Sequence, residues 1–272
     1  MFGRLDHHPD FPSHYVTPRN VDIWLPPGYR GAGANRFPVL YMHDGQNLFD
    51  PKTSFMGVDW GVDEAMLRLI AEGQVRGAII VGIWNTAKRF QEYLPNKLFE
   101  TSRETAMKIR IEAKYHDKPI SDDYLRFVVE ELKPFVDRNY QTMSGRSNTF
   151  MMGSSMGGLV SLYALCEYPQ VFGGAGCLST HWPAVDGILI GYLERTLPKP
   201  GAHKVYFDYG TETLDVSYEG YQRQVDDVMQ ATGYVKGREW ITQKFEGAEH
   251  SERSWRERVH IPLIFFFGKE PA

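Results

Sequence analysis

Thr149-Phe150-Met151-Met152-Gly153-Ser154-Ser155-Met156-Gly157-Gly158 is a short apolar run that breaks into glycines and serines. Ser155 stands between Gly153 and Gly157 in a Gly-x-Ser-x-Gly pattern. Leu159 to Cys166 then continue with the apolar density of a helix. The pattern therefore falls where a strand turns sharply into a helix, the context of a nucleophile elbow. In so tight a turn, side chains two before and two after the serine would collide, which is why both positions are glycine. The serine hydroxyl would stand clear of the sheet edge at the positive end of the helix. Many strand-to-helix joints carry the same five residues without any chemistry, so the reading depends on partners elsewhere.

Downstream, Gly173–Leu178 reads as a buried strand, Pro183–Leu197 holds a helix, and Val205–Tyr209 is a strand. Val216–Thr232 reads as a helix stopped by Gly233, and Ile241–Phe245 as the last strand. Ser251–Phe267 begins as a helix and ends in an apolar tail. Upstream, Asp122–Arg138 carries one apolar stripe through Leu125, Val128, Val129, Leu132, Phe135 and Val136, with Ser121 as its expected N-cap. Ala78–Ile83 and Phe37–Met42 read as buried strands, Trp60–Ile70 as a helix, and Val21–Leu25 as the opening strand. Residues 85–121 are polar and irregular, long enough to be an insertion or cap over one end of a sheet. Strands and helices alternate along the chain, which predicts an α/β fold: a mostly parallel central sheet with helices on both faces. No linker-like tract divides residues 1–272, so one domain is expected.

Composition allows this. The chain has 272 residues, 42% of them hydrophobic and 24% charged, an ordinary balance for a globular protein. A net charge of −4 gives no electrostatic case for nucleic acid or an anionic membrane, and neither is expected as a partner. There is no apolar run of spanning length and no charged-then-apolar leader. The default expectation is cytoplasmic, or secreted or periplasmic if a leader has been removed. Cys166 and Cys177 are too few for a disulfide framework and are expected as buried thiols.

In open sheets of this kind ligands bind beyond the carboxyl ends of the strands. A serine nucleophile needs a base, usually a histidine steadied by a carboxylate, in the chain order serine, acid, histidine. Four histidines follow Ser155: His181, His203, His250 and His260. His250 comes directly after the last strand, where a loop can reach back. His203 precedes a strand, His260 sits among apolar residues, and His181 comes before any acid. The acid is expected after Val205–Tyr209, where Glu212 and Asp215 both qualify; Asp215 is preferred, although it also reads as an N-cap. A histidine base implies a rate that falls in acid through the ordinary histidine range, roughly 6–7. The oxyanion needs backbone donors: the N–H of Met156, and that of Gln46 in the loop His43-Asp44-Gly45-Gln46-Asn47 after an early strand. Trp60, Trp84, Trp182 and His181 are candidate substrate-binding residues, with Phe49 and Tyr93 in similar positions. Arg89 is expected to pair internally with Glu92. Glu249-His250-Ser251-Glu252 lacks the paired-histidine spacing of a zinc site, so no metal is expected.

These residues resemble a known family. Tyr41-Met42-His43-Asp44-Gly45-Gln46-Asn47, then Val81-Gly82-Ile83 with Arg89, Glu92 and Tyr93, then Met152 to Gly158, then Glu249-His250 with Trp255, resemble the family described as Putative esterase, of enterochelin-esterase-like and esterase-D-like α/β-hydrolases. The resemblance runs from about Val21 to Phe267. It implies an α/β-hydrolase fold, a Ser–acid–His triad with Ser155 as nucleophile and His250 as base, an oxyanion hole at Gln46 and Met156, and neither metal nor cofactor. It leaves Asp215 and Glu212 open as the acid. The expected activity is serine carboxylic-ester hydrolysis of a small acyl or aryl ester. An acyltransferase with the same triad, or a non-catalytic binding module on the same fold, are the alternatives.

Overall fold

The computed structural model describes residues 3–30, 35–99, 106, 109, 113 and 118–269. One eight-stranded sheet has the order β1-β2-β4-β3-β5-β6-β7-β8. The strands are β1 Arg4–Phe11, β2 Arg19–Leu25, β3 Val39–His43, β4 Ile79–Ile83, β5 Thr149–Ser154, β6 Gly174–Leu178, β7 Lys204–Gly210 and β8 Trp240–Phe245. β1 and β2 form an antiparallel edge, and β4, β3, β5, β6, β7 and β8 run parallel. This is the mostly parallel α/β-hydrolase arrangement expected from the alternation of elements. β3, β4, β5 and β6 are buried throughout, as strands covered on both faces must be. Two apolar clusters lie on opposite faces of the sheet, one including Tyr41, Val81 and Met151, the other Leu40, Ile80 and Met152.

Several elements differ from expectation. β1 reads Arg-Leu-Asp-His-His-Pro-Asp-Phe, with mostly exposed or half-exposed side chains. An edge strand with little to bury shows no apolar alternation, and it tolerates Pro9. The helix expected over Asp122–Arg138 is α-helical at Ser121–Arg126, widens to a π-helix at Phe127–Leu132 and returns to α at Lys133–Asn139. Pro134 lies where the geometry changes, and its missing N–H removes one rung of the ladder. Ser121 does not cap this helix; its hydroxyl accepts the Asn96 N–H at 2.9 Å. The apolar tail is a second helix, His260–Phe267, whose Phe266 and Phe267 pack on Phe150 at centroid distances of 4.9 and 5.4 Å. Of the segment expected as an insertion at 85–121, most of 100–117 lies outside the described residues. Its start forms a helix at Arg89–Tyr93 and a turn at Asn96–Phe99.

Candidate active site

β5 ends at Ser154 and the Met156–Glu167 helix begins two residues on, with Ser155 alone in between at φ 57°, ψ −121°. A non-glycine residue at positive φ is strained and persists only where its surroundings hold it. They do so here. Ser155 N–H donates to the Leu178 carbonyl at 2.9 Å, and Ser155 O accepts from His181 N–H at 3.1 Å. A Cβ on Gly153 would lie 3.0 Å from the Gly157 backbone and from the His43 ring, so the turn closes only with glycine there. Met156 N–H, at the first turn of the helix, has no intrahelical acceptor.

Asp44, Ser155, Ser179 and Thr213 all have positive φ, and they follow β3, β5, β6 and β7 at the carboxyl edge of the sheet. Four of the seven non-glycine residues with positive φ among the described residues therefore lie at this edge. His250 follows β8 there. Its Nδ1 lies 2.6 Å from Asp215 Oδ1, and its backbone N–H donates to Thr213 Oγ1 at 2.8 Å. Asp215 Oδ2 accepts from Ser179 Oγ and from Gly210 N–H, both at 2.6 Å. Burial pushes the Asp215 carboxyl up, but the hydrogen bonds from His250, Ser179 and Gly210 outweigh it and hold the group below the ordinary range. Those acceptors are all engaged, so Asp215 does not cap a helix as expected; it lies inside the turn Thr213–Ser217. Glu212 is exposed. Ser155 and His250 line one cleft of about 450 Å³, and among the described residues no hydrogen bond joins the Ser155 hydroxyl to the imidazole. Unliganded sites often hold this contact loosely.

A further layer stands behind Asp215. Ser179 Oγ accepts from Trp255 Nε1 at 3.1 Å and from Arg258 at 2.8 Å, and Arg258 also reaches Asp208 at 3.0 Å. Arg258 and Asp208 are both buried. Burial raises the Asp208 carboxyl despite the guanidinium beside it. The Trp255 ring meets the His250 ring edge-on at 5.0 Å. Ser179 and Arg258 are not singled out by the sequence, and Trp255 only as part of the family resemblance, without a role. The signal was the spacing of Trp255 and Arg258 on one face of the Glu252–Arg258 helix, directly after His250. Ser179→Ala should lower kcat by about tenfold, by analogy with the loss of outer hydrogen-bond partners around metal-ligating side chains. The check is steady-state hydrolysis beside a thermal melt. An unchanged kcat would mean that Gly210 N–H alone suffices to hold Asp215.

The loop after β3 is fixed from two sides. Arg89 Nε and Nη2 donate to Asp44 Oδ1 and Oδ2 at 2.6 and 2.8 Å, and Asn85 Nδ2 donates to Asp44 Oδ1 at 2.6 Å. Arg89 thus pairs with Asp44 and not, as expected, with Glu92. Glu92 is taken by the buried Arg19, at 2.9 and 2.6 Å. Gly45 lies against β4, where a Cβ would come within 2.5 Å of the Gly82 backbone. This close approach brings Gln46 into the lining of the Ser155 cleft.

The cleft wall differs from the expected one. Phe55, Phe90 and Trp255 supply its apolar surface. Trp60 lies one layer back, against Trp255 at 5.4 Å. Trp182 is core, packed near Phe207 at 6.2 Å. Trp84 is turned away by its hydrogen bond to Asp22 at 2.6 Å. His181 stands beside the cleft without lining it, its Nδ1 2.6 Å from the Tyr218 hydroxyl and its ring 6.5 Å from that of His250. A larger hollow of about 840 Å³ lies at the opposite edge of the sheet beside His203 and Lys204, away from these residues. Among the described residues no three His, Cys, Asp or Glu side chains gather as a metal site would need, and no helix is long and apolar enough to cross a membrane.

His43 ties the loop to the Ser155 turn. Its ring packs on Gly153, its Nδ1 lies 2.8 Å from the Tyr124 hydroxyl, and its Nε2 is buried with no partner among the described residues. Burial pushes its pKa down to about 3. The unfolded chain takes up this proton near the ordinary value of about 6.5, whereas the folded chain resists until about pH 3, so stability is lost as pH falls through that window. At pH 5 this group alone should cost about 2 kcal/mol relative to pH 7.5. Urea unfolding at the two pH values checks it: the pH dependence should shrink by that amount in His43→Phe, and an equal slope in both proteins would contradict it.

The model of the family described as Putative esterase matches residues 14–260. A Bacillus subtilis (strain 168) relative described as uncharacterized protein YbbA is 26% identical over 266 residues, spanning 94% of this chain and 95% of its own. Ferri-bacillibactin esterase BesA of the same organism is 28% identical over 150 residues, 54% of this chain and 49% of its own. Among solved structures, a ferulic acid esterase superposes with a TM-score of 0.71 over 98% of this chain and 99% of its own, at 15% identity, a likeness of fold.

Proposed function

Since the chain belongs to the Putative esterase family, we propose that it is a serine carboxylic-ester hydrolase, acting on a small acyl or aryl ester through an acyl-enzyme on Ser155. One observation carries this reading: the Asp215–His250 contact of 2.6 Å stands in the cleft that also holds the strained Ser155. With its Nδ1 proton held by Asp215, the imidazole presents Nε2 as a base. His250 takes the Ser155 proton as Oγ adds to the ester carbonyl. The oxyanion lies between the N–H groups of Gln46 and Met156. The C–O bond to the alcohol then breaks, and His250 returns its proton to the leaving oxygen. Water repeats the sequence on the acyl-enzyme and frees the acid.

The cleft of about 450 Å³ suits a small ester, and Phe55, Phe90 and Trp255 offer apolar surface to an acyl or aryl group. The relatives' names, a ferri-bacillibactin esterase and a ferulic acid esterase, support ester chemistry as the class. The test is a hydrolysis panel of acetyl, butyryl and feruloyl esters, a thioester and a catechol lactone. At least one oxygen ester should be turned over in a Ser155-dependent way. Turnover of none, or turnover untouched by Ser155→Ala, would end the proposal.

A further inference from the structure

We propose that Glu252 sets the charge preference of this cleft, favouring esters that carry a hydroxyl or ammonium group and disfavouring anionic ones. The inference rests on the esterase reading and adds a substrate class to it. Glu252 lines the cleft with Ser155, His250, Asp44 and Arg89. Asp44 and Arg89 cancel one another through their bidentate pair. Glu252 has no ion pair and no hydrogen bond to another side chain among the described residues. It is the uncompensated charge of the cleft.

The backbone beneath it is also fixed. Glu252 opens a helix whose N-cap, Ser251, accepts the Ser254 N–H. The same helix is pinned from behind by Trp255 and Arg258 on Ser179, and from the side by Arg256 on Asp59 at 2.9 Å. The backbone that carries Glu252 is therefore held at the cleft, directly after His250. Burial and the nearby Asp44 carboxylate raise its pKa, although its own backbone N–H, His250 and Arg89 pull the other way. A carboxylate held so gains from a ligand that brings a donor or a positive charge, and it repels a second anion. The developing oxyanion at Gln46 and Met156 is itself negative, so a further anionic substituent beside Glu252 is doubly disfavoured.

The experiment compares kcat/KM for two series of esters that differ in one distant group. One series is the 4-(aminomethyl)-, 4-(hydroxymethyl)- and 4-(carboxymethyl)phenyl acetates, with the charge on the alcohol. The other is the methyl esters of the matching 4-substituted phenylacetic acids, with the charge on the acyl half. The wild type should prefer the aminomethyl over the carboxymethyl ester by about tenfold in at least one series, mostly through KM, and salt should weaken that preference. Glu252→Gln should bring the ratio close to one, and Glu252→Lys should invert it. The same ratio in all three proteins, in both series, would overturn the inference while leaving the esterase reading standing. No Ser155-dependent hydrolysis of any probe would overturn the esterase reading and the inference with it.

Discussion

Ser155→Ala should lower kcat for aryl acetate hydrolysis by about 10⁵- to 10⁶-fold, the scale seen when a triad serine is removed from a hydrolase. The residual rate would come from the oxyanion donors and from binding, which the substitution leaves in place. KM should change little, because the hydroxyl makes no ground-state contact that the cleft cannot replace. A second, opposite effect distinguishes this residue from an ordinary buried serine. Ser155 is held at φ 57°, ψ −121°, where a Cβ is strained. Ser155→Gly should therefore be as inactive as the alanine variant yet more stable than the wild type, by about 1 kcal/mol. Thermal melts and steady-state rates on the three proteins check both arms. A glycine variant no more stable than the wild type would mean that the turn is not under strain.

Asp215→Asn should cost about 10⁴-fold in kcat, by the logic of a lost tautomer. Asp215 is 1% exposed and accepts on both oxygens: His250 on one, Ser179 and the Gly210 N–H on the other. An asparagine can keep its oxygen toward His250 only by aiming its NH₂ at two donors. If it turns over, the NH₂ faces His250 Nδ1, the ring proton moves to Nε2, and no lone pair remains to take the serine proton. The first state keeps the tautomer but sets donor against donor, the second disables the base, and the second is the better bonded. Glu212→Gln, by contrast, changes an exposed side chain and should alter kcat by less than about twofold. A larger loss at Glu212 than at Asp215 would reverse the assignment of the acid.

Much of this was legible in the sequence, for reasons that can be named. The parallel strands are continuous apolar runs, because both faces are covered, and such runs stand out without neighbours. The Ser155 turn was legible because its geometry tolerates so few residues. His250 was found by position, as the one histidine directly behind the last strand. Asp215 could only be preferred over Glu212, since both fall in one loop and only the backbone path of Thr213–Ser217 turns one inward. The tryptophans misled because a large ring near a strand end can face the cleft or the core. Trp60 and Trp182 face the core, while Phe55, 66% exposed, forms part of the wall. β1 was missed because an edge strand buries almost nothing, and Arg89 was paired with the wrong carboxylate because Glu92, three residues away in sequence, is taken by Arg19 at the start of β2.

The central claim is a covalent acyl-enzyme on Ser155, and trapping it is the most direct measurement. The protein is mixed with 4-nitrophenyl acetate, quenched in acid within milliseconds, and examined by intact-mass and peptide mass spectrometry. A fluorophosphonate serves as a longer-lived trap. The account predicts a single adduct per chain, on the peptide containing Ser155, formed at least as fast as turnover and absent from Ser155→Ala. Turnover without an adduct on Ser155, or an adduct on another residue that forms and decays at the catalytic rate, would contradict it.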